Sequence, residues 1–255
     1  GYEPYSAAKH AYNSNPYLNA VNPIKRIGAT AFGKMALTDD IEMFSELMFT
    51  NRQSRQLATP GSLGIQRQVR IAATHPTNPT GQDLVLERRR VAEVGPRDFF
   101  QETNTFRIAT GLTGRLSESW DWNASVNWGR NTGVDGMTNI MNLDRVDATL
   151  NAATCGTSAT AAPCGNYLGY GNLSPAVLEY IHFDTRDHGG NDQKSFNAGV
   201  SGELFKMPAG MVGFASGFEY RQEKGWRDPD SLIVSGAANT NRQDPIAGEY
   251  SAREV

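Results

Sequence analysis

Polar and apolar residues alternate along three pairs of long segments, and a few turn-forming residues join the two members of each pair. The clearest pair runs from Thr105 to Leu116, turns at Ser117-Glu118-Ser119, and continues from Trp120 to Arg130. In its second half Trp120, Trp122, Ala124, Val126 and Trp128 share one side, while Asp121, Asn123, Ser125 and Asn127 share the other. Successive side chains of a strand point to opposite faces, so this spacing predicts a strand between an apolar and a polar environment. A later pair repeats the plan. Phe196, Ala198, Val200, Gly202 and Leu204 oppose Asn197, Gly199, Ser201 and Glu203. After a turn over Lys206–Gly210, Val212, Phe214, Ser216, Phe218 and Tyr220 oppose Gly213, Ala215, Gly217, Glu219 and Arg221. The first pair is weaker: a strand over Ile24–Leu37, a turn at Thr38-Asp39-Asp40, and a segment from Ile41 to Gln56. In that last segment Ile41, Met43, Leu47 and Phe49 face Glu42, Glu46 and Thr50 across the strand. Ile41, Phe44 and Met48 also fit a helical period, but the flanking hairpin pattern favours a strand.

The connections between the pairs are long and always at the same end: residues 58–102, 133–192 and 227–247. Glu249-Tyr250-Ser251 begins a seventh strand. The strands run to about twelve residues or more, against about 5–6 in most globular sheets. Long strands, short turns at one end and long loops at the other predict part of a transmembrane β-barrel. The expected fold is therefore all-β: an antiparallel up-and-down meander with periplasmic turns and extracellular loops, in a Gram-negative outer membrane. Trp120, Trp122 and Phe205 lie beside the short turns, where a periplasmic aromatic girdle would fall. Core aromatics of a soluble sandwich are the alternative. Residues 1–22 read as loop, and Leu84–Val94 as a strand extending past the membrane. Ser174-Pro175 opens a short helix reaching Tyr180, with Pro at the first helical position.

Composition agrees. The hydrophobic fraction is 39%, charged residues make up 20%, and there are 26 glycines. A soluble core of this size is usually richer in aliphatic residues, whereas one face of a barrel strand is polar. No run of about 18 apolar residues is present, so no membrane-spanning helix is expected. A net charge of -3 gives no case for nucleic acid. Cys155 and Cys164, in a Gly/Ala/Thr-rich stretch that reads as exposed loop, are expected to form a disulfide in an oxidising compartment; free thiols are the alternative. The first residue is Gly1, no leader precedes it, and Ala252–Val255 falls within strand pattern, so the chain is expected to be a fragment.

Several phrases resemble the barrel of a TonB-dependent receptor, the class of gated outer-membrane transporters. They are Leu37–Ile41 leading to Phe49–Ser54, Arg88-Arg89, Glu93–Arg97, Trp120-Asp121-Trp122, Asn127–Asn131, and Ser201–Phe205 with Pro208-Ala209-Gly210 continuing into Val212–Arg221. Their order and spacing, more than any single phrase, carry the likeness, from about residue 24 onward. The resemblance implies a barrel of about 22 strands around a plug, of which about six or seven strands would be here. It also implies coupling to the TonB complex through a short N-terminal box, and neither plug nor box is visible. The partners implied are outer-membrane lipid and lipopolysaccharide, the plug and remaining strands, the TonB complex and a small nutrient: an iron chelate, a cobalamin or an oligosaccharide.

On that reading Glu42, Glu46, Arg107, Arg115, Glu203, Glu219 and Arg221 line the lumen, bonding to each other, to water or to a plug. His182 and His188 with Asp184 and Asp187 read as a polar loop rather than a metal site. Glu87-Arg88-Arg89-Arg90 reads as charges paired across neighbouring strands or with lipopolysaccharide phosphates rather than a ligand site. No nucleophile, base and orienting residue fall together, so neither catalysis nor a cofactor is expected. A passive porin and a soluble extracellular all-β glycan-binding module or glycan-active enzyme are the competing classes.

Overall fold

The computed structural model describes residues 3–255. Seven long strands form one sheet in chain order: β1 (Ile24–Ala36), β2 (Ile41–Ala58), β3 (Arg97–Ser117), β4 (Trp120–Met137), β5 (Asp187–Met207), β6 (Gly210–Asp228) and β7 (Ile246–Glu254). Every neighbouring pair is antiparallel. Among the described residues the sheet does not close, and β1 and β7 are its edges.

Directly paired residues share a face, so the registers sort the side chains across the whole sheet. Met35, Met43, Leu112, Ala124, Ala198 and Phe218 form one cross-strand row. Gly33, Ser45, Thr110, Val126, Phe196 and Tyr220 form the next. Aromatic contacts tie this apolar face together: Phe106 with Trp128 at 5.5 Å, Phe196 with Phe218 at 6.2 Å, and Trp120 with Phe214 at 6.0 Å between ring centroids. Toward the long connections the same face turns polar, with Asn51 beside Asn104, Arg130 beside Asp192, and Lys224 beside Glu249. From Trp120 to Trp128, at about 3.3 Å per residue, the apolar run covers roughly 26 Å of strand.

Among the described residues nothing covers that face. Within the seven strands Ala109 is the one fully buried apolar side chain among the described residues. The conventional core lies elsewhere, in a cap built from the three connections, residues 59–96, 138–186 and 229–245. Leu63, Val69, Ile71 and Val91 of the first connection pack with Met141, Val146, Tyr167 and Ile181 of the second. Ile140 packs with Ile233 and Ala238, which brings in the third. Helix α1 (Leu143–Thr149) starts where the Asn142 side chain accepts from the Asp144 and Arg145 amides, and it buries Leu143, Val146 and Thr149. Helix α2 (Pro175–Ile181) starts on the Ser174 hydroxyl, which accepts from the Val177 amide, and it buries Val177 and Ile181. Asn239 donates to the Ser62 carbonyl at 2.8 Å, pinning the third connection to the first.

Several sequence expectations change. The strands reach further than the alternation shows, because their upper ends carry polar residues on both faces, so each connection is shorter than expected. Leu84–Val94 is not one strand. It divides into Leu84–Leu86, Arg89–Arg90 and a 3-10 turn at Ala92–Val94, since these residues pair with other parts of the cap rather than with the sheet. A register shift between Glu203 and Phe205 takes Leu204 out of line, and Phe205 instead opposes Val212. The N-terminal stretch holds a helical turn, Ala7–His10, and a 3-10 turn, Asn15–Tyr17, while Gly1 and Tyr2 lie outside the described residues.

Candidate functional site: the charged face and the cap above it

Opposite the apolar face, the register brings Glu42 and Glu46 of β2, Arg107 and Arg115 of β3, Glu203 of β5, and Glu219 and Arg221 of β6 onto one side. Most of these charges find partners, across strands or, for Arg221, along β6 itself. Lys34 meets Glu42 at 2.9 Å, and Arg107 lies 3.5 Å from Glu46 while donating to Asn127 at 2.7 Å. Arg115 meets Asp40 at 2.6 Å, and Arg221 lies 3.6 Å from Glu219 and 3.4 Å from Glu223. Glu203 has no ion-pair partner among the described residues. At the cap end Arg227 forms two bonds to Asp135, at 3.2 and 2.9 Å, and one to Asp187 at 2.7 Å. This is a polar surface on which most charges are paired, suited to water or to a polar partner.

Trp120, Trp122 and Phe205 lie on the apolar face near the short turns. Trp120 also donates from Nε1 to the Glu203 carbonyl at 3.1 Å. Gly202 and Gly114 lie under Trp120 and Trp122 respectively, where any Cβ would collide with the indole. A second aromatic group toward the cap end of the face escaped the sequence reading: Phe49 opposes Phe106, which touches Trp128, and Phe196 opposes Tyr220. Its signal was present in the alternation, but only the register aligns it across strands.

In the cap, Cys155 and Cys164 are bonded, and Gly156–Thr160 between them is exposed. Cys155 is buried against His75, itself only 2% exposed. Thr77 Oγ1 donates to the Gly165 carbonyl, while His75 Nδ1 lies 2.9 Å from that Oγ1 and 3.3 Å from the Thr77 amide. The Thr149 carbonyl can only accept, so His75 Nε2 carries a proton and donates to it at 3.1 Å. Thr149 Oγ1 donates to the Val146 carbonyl, so the Tyr167 hydroxyl is the donor to Thr149 at 2.8 Å. Burial pushes the Tyr167 phenol up to about 12, in keeping with a neutral donor. His75, Cys155 and Cys164 lie close enough to hold an ion, but both sulfurs are bonded to each other and both ring nitrogens are engaged. The cluster is structural in this state.

His182 pairs with Asp184 at 3.3 Å, whereas Asp187 accepts from Arg227 and from the Asp230 amide. They form no shared metal site. In the run Glu87–Arg90, Arg89 pairs with Glu93 at 2.5 Å, four residues on, rather than with a neighbouring strand. Burial raises Glu93, but the hydrogen bonds and charge of Arg89 outweigh it and hold the carboxyl below the ordinary range. Glu93 also accepts from the Gly171 amide, and Arg89 donates to the Gly169 carbonyl. This clamp presents Tyr170, which is 78% exposed. Facing it from the N-terminal segment, Tyr12 donates to the Tyr17 hydroxyl at 2.9 Å, and Arg90 stands 5.7 Å above the Tyr12 ring. Burial first, then the Tyr17 hydrogen bond, pushes Tyr12 up to about 12. No family model matches the chain, and no curated protein matches it.

Proposed function

We propose that this chain forms about seven strands of the wall of a TonB-dependent outer-membrane receptor, which binds a scarce small nutrient and imports it into the periplasm. One observation carries the membrane part: a continuous apolar face that the described residues leave uncovered, backed by a charged and hydrogen-bonded face. A soluble sheet buries such a face against a second layer, whereas a barrel gives it to lipid. With the tilt of about 40° usual for barrel strands, the apolar run of roughly 26 Å along β4 rises about 20 Å, most of the band of about 25 Å expected of outer-membrane barrels. Open edges at β1 and β7 expose backbone groups that lipid cannot satisfy, so the reading requires further strands of the same barrel. The receptor part rests on the hairpin phrases and on the large folded cap at one end. Lipid and lipopolysaccharide meet the apolar face, a plug meets the charged one, and the TonB complex acts through that plug.

The test fractionates cells that make the full-length gene product and then measures uptake of an iron chelate, a cobalamin and an oligosaccharide with and without TonB. Recovery in the outer membrane, heat-dependent gel mobility and TonB-dependent uptake are expected. TonB-independent uptake would replace the receptor with a passive porin. A folded monomer in buffer without detergent would overturn the membrane reading.

A further inference from the structure

Where the cap meets the charged face, two arginines rest on one turn of chain with no acid between them: Arg90 of the cap and Arg97 at the start of β3. Arg97 pairs in register with Ala58, which puts it on the same face as Arg107, and it donates from Nε to the Thr59 carbonyl at 2.8 Å. Arg90 donates to the Thr59 hydroxyl at 3.2 Å and to the Pro60 carbonyl at 2.6 Å. Both guanidinium groups therefore rest against the same turn of chain. The acids nearest in sequence are engaged: Glu93 with Arg89, and Asp98 with Arg55. Neither Arg90 nor Arg97 has an ion-pair partner among the described residues. Their remaining N–H groups have no acceptor there, and none is sealed from solvent.

Two cations held side by side repel, and partial burial adds a desolvation cost to each. An anion between them relieves both. The guanidinium fork matches a carboxylate through paired hydrogen bonds. Beside Arg90 stand Tyr12, under its guanidinium, Tyr17 next to Tyr12, and the exposed Tyr170, near enough to raise the Tyr12 phenol. Aromatic faces at a charged site suit a flat ring attached to the anion.

We propose that Arg90 and Arg97, with Tyr170, form a binding site for a carboxylate carried on a flat ring. This rests on the receptor reading and gives its ligand a chemistry. The test uses the full-length protein in detergent and 19F NMR of 4-fluorobenzoate, with uncharged 4-fluorobenzyl alcohol as control. Line broadening by 4-fluorobenzoate alone is expected. R90A/R97A should weaken binding roughly tenfold or more, and Y170A about threefold. Heat-dependent gel mobility checks that each variant folds. If R90A/R97A does not fold, R90K/R97K and Y170A carry the test, because lysine keeps the charge but loses the fork. Equal broadening by the alcohol, or undiminished binding in the folded arginine variant, overturns the site. Uptake plays no part in this readout, so a failure of TonB-dependent import and a failure of this site are distinguishable.

Discussion

The sheet and the cap follow opposite rules. In the cap, Leu63, Ile71, Val146 and Ile181 are shut away from solvent, as in any small water-soluble domain. In the sheet, Phe49, Val126, Phe196 and Phe214 are left open on one face while most charges on the other are paired. The same chain thus holds one region stabilised by its own core and another whose apolar face the described residues leave open, which on the proposed reading is covered by lipid. The lesson is where each region's stability comes from: the cap's from side-chain packing, the sheet's from ladder hydrogen bonds plus its surroundings.

The largest expected effect breaks the cap alone. R89A leaves Glu93 buried without its cation, and losing one partner of a buried pair costs about 3–5 kcal/mol. Faster proteolysis within 59–96, with unchanged protease protection of the seven-stranded sheet, is the expected result. The pH response should also change. The folded Glu93 carboxyl lies below its ordinary value, so its contribution is complete above pH 4.5 and is lost as pH falls through the lower folded value. In R89A only the Glu93 and Gly171 backbone amides still oppose burial, so the loss of cap stability on acidification should shrink. Acid-dependent proteolysis of the two proteins checks the sign.

A pair of variants on β5 sharpens the contrast within the sheet. A198R places a charge on the apolar face and should cost about 2–4 kcal/mol in lipid. S201R places it on the charged face beside Asp121, where the cost should be below about 1 kcal/mol. Urea unfolding in lipid vesicles measures both. Equal costs would remove the difference between the faces.

Replacing both cysteines, C155S/C164S, opens a loop of sequence separation 9 and should destabilise the cap by roughly 2–3 kcal/mol, read by hydrogen exchange at Thr149 and Tyr167. R115A should have the smallest effect, under about 1 kcal/mol in the same vesicle assay, because its pairing with Asp40 is exposed on both sides.

Much of the sheet was legible in the residues. Trp120 to Trp128 and Phe196 to Gly202 carry a period of two, and the turns at 117–119 and 206–210 interrupt it. Ser174-Pro175 announced α2, because capping and the proline ring act within one turn of chain. The face shared by Glu42, Glu46, Arg107, Arg115, Glu203, Glu219 and Arg221 could be expected strand by strand. The register shift at Leu204 could not, since nothing in the alternation marks where one residue is left unpaired. The cap was missed as a unit. His75 meets Thr149 across 74 residues, and Asn239 meets Ser62 across 177, so no local period records either contact. Arg90 and Arg97 looked like two members of charged runs until their neighbours in space were known.

The sequence by itself determined which side chains share a face and where the hairpins turn, because alternation is a property of the extended backbone. Only the tertiary structure decided that the three connections fold into one cap, that His75 is spent on holding it, and that Arg90 and Arg97 meet on one turn with no acid between them. Those outcomes depend on contacts between distant segments whose order along the chain carries no periodic trace.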